Sequence, residues 1–101
     1  MLSNALERSF RAVPVKTLDE LRPTRGRIAL RCYLPNCTSC ASFDGDGRVA
    51  FEESLEVSRI IPWNCSAPEN RRLAKRYGIK DIPAYIIVPS RPGKISMRQV
   101  P

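Results

Sequence analysis

Cys37-Thr-Ser-Cys40 follows directly on a mainly apolar, β-permissive run, Arg27 to Leu34 (RIALRCYL), and no other feature limits the chain as much. A short run of this kind, stopped by Pro35-Asn36, reads as a central strand. Asn36 can then cap a helix that starts at the first cysteine. A Cys-x-x-Cys pair across the first turn of a helix brings its two sulfurs close enough to bond. The partial positive charge of the helix N-terminus favours a thiolate there. The leading cysteine is the more exposed of such a pair and attacks a substrate disulfide, and the second resolves the mixed disulfide. On this reading Cys37 is the nucleophile and Cys40 the resolving thiol.

The rest of the chain alternates strands and helices. Val13-Pro-Val15 is expected to be a short edge strand, where proline is tolerated. Thr17-Leu-Asp-Glu20 reads as a capping box opening a short helix that Pro23 and Gly26 end. Asp44-Gly-Asp-Gly47 should interrupt the helix after the dithiol. Helical spacing resumes over Arg48 to Glu56, with Val49, Phe51 and Leu55 as inward positions. Val57 to Trp63 (VSRIIPW) forms a second strand. Ser66-Ala-Pro-Glu69 reads as another capping box, with Pro68 in the first turn. Its helix turns Leu73, Ala74 and Tyr77 inward and ends at Gly78. Ala84 to Val88 is a strongly apolar strand, Ser90 to Gly93 a turn, and Lys94 to Val100 an antiparallel return. Strands joined by helices imply βαβ crossovers and a mixed sheet covered by helices. The expectation is one α/β domain over residues 1–101, with 1–24 as an N-terminal strand/helix region and 25–101 as the core.

The chain has 101 residues, four cysteines and no histidine. The missing histidine removes Cys-His and Ser-His catalytic pairs and all mixed Cys/His metal sites, so the chemistry must rest on thiols. No apolar run approaches the roughly 20 residues of a membrane-spanning helix. A soluble, cytoplasmic protein is expected. The opening segment MLSNALERSFRAV spaces Leu2, Leu6 and Phe10 helically beside Arg8 and Arg11, which keeps mitochondrial targeting open although Glu7 counts against it. Seventeen Lys and Arg against ten Asp and Glu give a net charge of +7, which favours acidic partners, whether protein, nucleic acid or membrane surface. The densest basic cluster (Arg71, Arg72, Lys75, Arg76) falls on one helix, as a solvated face or a docking surface.

The run from Glu69 to Val88 (ENRRLAKRYGIKDIPAYIIV) resembles the second half of thioredoxins, in which a helix ending in Tyr-Gly-Ile precedes Ile-Pro-Thr and a hydrophobic strand. The likeness extends over residues 27–98 and implies a thioredoxin-like fold with a central mixed sheet. It implies that Pro83 follows a cis bond and lies against the dithiol, and that the backbone of Ile82 pairs with substrate. It also implies a thiol–disulfide oxidoreductase acting on disulfide-bearing or thiol proteins. Such an enzyme needs no separate cofactor, because the Cys37–Cys40 disulfide is the redox centre; a reductase or small thiol supplies electrons. The chain departs from the family in carrying Asn36 for the usual Trp and Thr38-Ser39 for Gly-Pro. Arg31 lies on the strand that normally bears a buried acid, and the terminal helix is missing. No Gly-Gly pair follows Pro83 to seat the carboxylates of glutathione.

Other readings stay open on sequence. Cys32-x4-Cys37-x2-Cys40, with Cys65 beyond, also resembles the ligand spacing of plant-type [2Fe–2S] ferredoxins. Against that reading, the segment between Cys32 and Cys37 has no glycine to wrap a cluster, and Pro35 has no N–H to offer. A four-cysteine zinc site lacks its second Cys-x-x-Cys. A thioredoxin-like interaction module with a basic surface would keep the fold without the enzyme. Cys32 and Cys65 are expected as buried free thiols, or as a pair if their strands are neighbours. Asp44-x-Asp46 fails as a calcium loop at Arg48. Trp63 and Tyr85 read as core or sheet-face residues.

Overall fold

The computed structural model describes residues 17–100; the edge strand expected at Val13–Val15 and the helical spacing read in the first residues lie outside the described residues. Four strands form one sheet in the order β2-β1-β3-β4: β1 (Arg27–Tyr33), β2 (Arg59–Asn64), β3 (Ala84–Pro89) and β4 (Ser96–Gln99). Strands β1 and β2 run parallel, with Leu30 opposite Ile61 and Cys32 opposite Trp63. Strand β3 is antiparallel to β1 and pairs Ile86 with Leu30, and β4 is antiparallel to β3. The two central strands are the two most apolar runs, as burial on both faces demands. Pro62, which cannot donate to a ladder, sits on edge strand β2.

Helices α1 (Thr38–Phe43) and α2 (Asp46–Ser54) make the β1–β2 crossover, and α3 (Pro68–Arg76) follows β2. Side chains alternate across the sheet with period two. Ile28, Leu30, Cys32, Ala84, Ile86 and Val88 face a core shared with Trp63, with Leu73 and Ala74 of α3, and with Leu18 and Leu21 of a 3-10 turn. Ala29, Tyr85 and Ile87 face the other way, onto Leu55 and the half-buried Phe43 and Phe51. The rings of Phe43 and Phe51 meet edge-on at 5.7 Å, and Phe51 stacks at a tilt on Tyr85 at 5.2 Å. Each fully buried aliphatic side chain contributes about 1.5–3 kcal/mol. This mixed sheet, covered on both faces, is the α/β arrangement expected from the sequence.

Several local expectations are corrected. Helix α1 begins at Thr38 with Cys37, not Asn36, as its N-cap. Asn36 takes a positive φ of 58°, a conformation asparagine tolerates, and so turns the chain between strand and helix. The break after α1 is confined to Asp44-Gly45, where Gly45 has φ 93°, and Gly47 lies inside α2. Val49 is exposed, whereas Phe51 and Leu55 do turn inward. Ala67 rather than Ser66 precedes α3, and the Ser66 N–H and hydroxyl both donate to Asn64 Oδ1, at 2.9 and 2.6 Å. The competing local hydrogen bond explains the shift: Asn64 offers Ser66 an Asx turn just outside the helix. At the other capping box, Glu20 does accept from the Thr17 N–H at 2.9 Å.

Candidate redox site

The end of β1 delivers the chain to the sheet rim, where Asn36 reverses it into α1. Cys37 and Cys40 are disulfide-bonded across this turn with their Cα atoms 5.2 Å apart. Both are half-buried. The Cys40 N–H donates to Cys37 Sγ at 3.1 Å. A donor aimed at a sulfur favours its charged form once the pair is reduced.

The Ile82–Pro83 bond is cis. Gln99 of β4 donates from Nε2 to the Asp81 carbonyl at 3.0 Å and the Pro83 carbonyl at 3.3 Å, and so ties this loop to the sheet. A groove of about 460 Å³ runs between α1 and the loop, with Thr38, Ser39, Ile82, Pro83 and Gln99 on its walls. Cys40 and Pro83 also line a second cavity of about 340 Å³, together with Arg31, Phe43, Asp44 and Arg48.

The charges around that second cavity come from three elements. Arg31 on β1 pairs with Glu52 on α2 at 3.4 Å, and Arg48 pairs with Asp44 at 3.2 Å. Tyr85 on β3 donates its hydroxyl to Glu52 Oε2 at 2.5 Å. Burial first, and the Glu52 carboxylate second, push the Tyr85 phenol well above its ordinary value. The strand before the dithiol thus carries a cation at this cavity, and the carboxylate that pairs with it arrives from α2. Sequence reasoning missed Glu52, since its partners lie 21 and 33 residues away.

Cys32 and Cys65 are free and buried, at 0% and 3% exposure. The Cys65 N–H donates to the Tyr33 carbonyl at 2.9 Å, which extends the parallel ladder and brings Cys65 to the face Cys32 occupies. The Cys32 thiol donates to the Leu30 carbonyl at 3.9 Å. A hydrogen bond with Cys65, then burial, raises the Cys32 thiol. The same bond, helped by the Arg71 guanidinium, holds Cys65 below its usual value despite burial. The four sulfurs therefore divide into a surface disulfide and a buried thiol pair. Among the described residues no three Cys, Asp or Glu side chains converge as metal ligands. The four-thiolate arrangement of the [2Fe–2S] reading is not assembled here. Asp44 is engaged with Arg48, as expected of a solvated turn. Arg71, Arg72, Lys75 and Arg76 are exposed on α3. Among the described residues no helix is long and apolar enough to cross a membrane.

No protein-family model matches the chain, and no curated protein matches it. Among solved structures it is similar to the solution structure of a thioredoxin from Thermus thermophilus, with a TM-score of 0.49 and 16% identity over 71% of this chain. It is also similar to Trichomonas vaginalis thioredoxin, with a TM-score of 0.47 and 19% identity over 93% of this chain and 72% of that one. The chain spans 58% of the length of the Thermus protein.

Proposed function

We propose that the chain is a thiol–disulfide oxidoreductase in which Cys37 attacks, Cys40 resolves, and Ile82 and Pro83 dock the substrate. The observation that carries this reading is the Cys37–Cys40 disulfide at the rim of the sheet, with the Cys40 N–H aimed at Cys37 Sγ. In the reductive direction the Cys37 thiolate attacks one sulfur of a substrate disulfide and expels the other as a thiolate. The Cys40 thiolate then attacks Cys37 Sγ, which releases the second substrate thiol and leaves the intramolecular disulfide. Two electrons pass from the dithiol to the substrate, so the disulfide itself serves as the redox centre. A reductase or small thiol resets it.

The groove between α1 and the Ile82–Pro83 loop suits an extended segment of a protein substrate. The loop's tie to Gln99 keeps the Pro83 carbonyl engaged. A net charge of +7 favours acidic clients.

The test is a thiol count and reduction potential in redox buffers, with Cys37→Ser and Cys40→Ser as controls. A reversible two-thiol transition that peptide mapping assigns to Cys37 and Cys40, and that is absent from both variants, is expected. If mapping never places a disulfide between Cys37 and Cys40 in any redox buffer, the catalytic reading falls. A thioredoxin-like interaction module would then take its place, supported by partner binding that is the same in oxidised and reduced protein.

A further inference from the structure

A third cavity, of about 180 Å³, shares Ile82 with the dithiol groove. Cys65 lines it, with Leu34, Ile79 and Ile82 as apolar walls and Arg71, Lys75 and Lys80 as charged ones. Arg71 is anchored beside the cysteine, donating from Nε to the Cys65 carbonyl at 3.4 Å. All three cations are exposed, so they present positive charge at the entrance. Behind Cys65, within the apolar core, stands the thiol of Cys32.

We infer that Cys65 and Cys32 form a second dithiol centre, which reduces small anionic disulfides entering through the basic cavity. The geometry distributes the roles. Cys65 faces the cavity, and its environment favours a thiolate, whereas Cys32 is enclosed and retains its proton longer. Cys65 attacks one sulfur of the small disulfide, forms a mixed disulfide and expels one small thiolate. Cys32, giving up its proton, then attacks Cys65 Sγ. The second small thiol leaves, and a Cys32–Cys65 disulfide remains. One disulfide is reduced to two thiols while two protein thiols are oxidised to one disulfide, so atoms and electrons balance. The carboxylates of the ligand meet Arg71, Lys75 and Lys80, which gives an anionic disulfide its preference over a neutral or cationic one.

The experiment uses the Cys37→Ser/Cys40→Ser protein, in which the first pair cannot exchange, so failure here and failure of the Cys37–Cys40 reading appear in different variants. Oxidised glutathione supplies the anionic probe and cystamine the cationic one, each rate being normalised to that with urea-unfolded protein. Intact mass and peptide mapping after alkylation should show a glutathionyl adduct on Cys65 that gives way to a Cys32–Cys65 disulfide. With three cations at the cavity, the normalised rate should be about tenfold greater for oxidised glutathione than for cystamine. Lys75→Glu/Lys80→Glu, on exposed positions, should bring that ratio near unity. Adding Cys32→Ala should leave the adduct standing on Cys65, with circular dichroism reporting the fold. The inference is overturned if folded protein leaves Cys65 unmodified, if the adduct forms without subsequent pairing to Cys32, or if the two probes react alike.

Discussion

Replacing Glu52 by Ala removes a carboxylate that joins β1, α2 and β3 beside the candidate site. Tyr85 loses the acceptor of a 2.5 Å hydrogen bond. A hydrogen bond to a charged group contributes about 1.5–3 kcal/mol. Arg31 loses an ion pair whose side chains are 23% and 18% exposed. That pair is partly screened, and it adds about 0.5–1 kcal/mol. The expected cost of Glu52→Ala is therefore about 2–4 kcal/mol, and Glu52→Gln, which keeps an acceptor for Tyr85, should cost about half as much. Tyr85→Phe removes the donor but leaves Glu52 with Arg31, for a cost of about 1–2 kcal/mol. Urea unfolding of the two single variants and the double variant closes a cycle that isolates the Tyr85–Glu52 contribution. A coupling of about 1–2 kcal/mol is expected. Additive effects, with coupling below about 0.3 kcal/mol, would show that the hydrogen bond contributes nothing and would refute the assignment of Glu52 as the link between the three elements.

Three further outcomes are expected. The raised pKa of Tyr85 stabilises the fold as long as the phenol stays protonated in both folded and unfolded chains; that contribution is lost as pH rises past its ordinary value of 10.0 toward the higher folded value. The stability advantage of wild type over Tyr85→Phe should accordingly shrink between about pH 8 and about pH 11, measured by urea midpoints. Ile86→Ala, in a fully buried position between β1 and β4, should cost about 2–5 kcal/mol by the same assay. Gly78→Ala meets no atom within 4 Å but must adopt φ 85°, so a destabilisation of about 1 kcal/mol should come from backbone conformation alone.

Local chemistry made much of this protein legible in its sequence. Apolar runs with strand length and turn residues at their ends identified β1, β2 and β3 to within a few residues. Pro68 and Gly78 marked the ends of α3, because a missing N–H and a positive φ are properties of single residues. Cys37 and Cys40 were recognisable as a pair because three residues of helix bring them together whatever surrounds them.

What escaped the sequence depends on competition or on distance. Asn36 and Ser66 are both good capping residues, yet neither caps; a left-handed turn takes the first and the Asn64 side chain the second. Val49 and Phe51 both looked inward by spacing, and only the packing of Phe51 against Phe43 and Tyr85 decided between them. The sequence left the approach of Cys65 to Cys32 conditional on strand order, which the sheet decided, and the same sheet brought Glu52 to Arg31 and Tyr85. Residues that set a turn carry their own conformational preference, so a sequence declares them. A buried thiol pair or a three-element carboxylate link exists only once β1 has chosen its neighbours, and that choice belongs to the whole sheet.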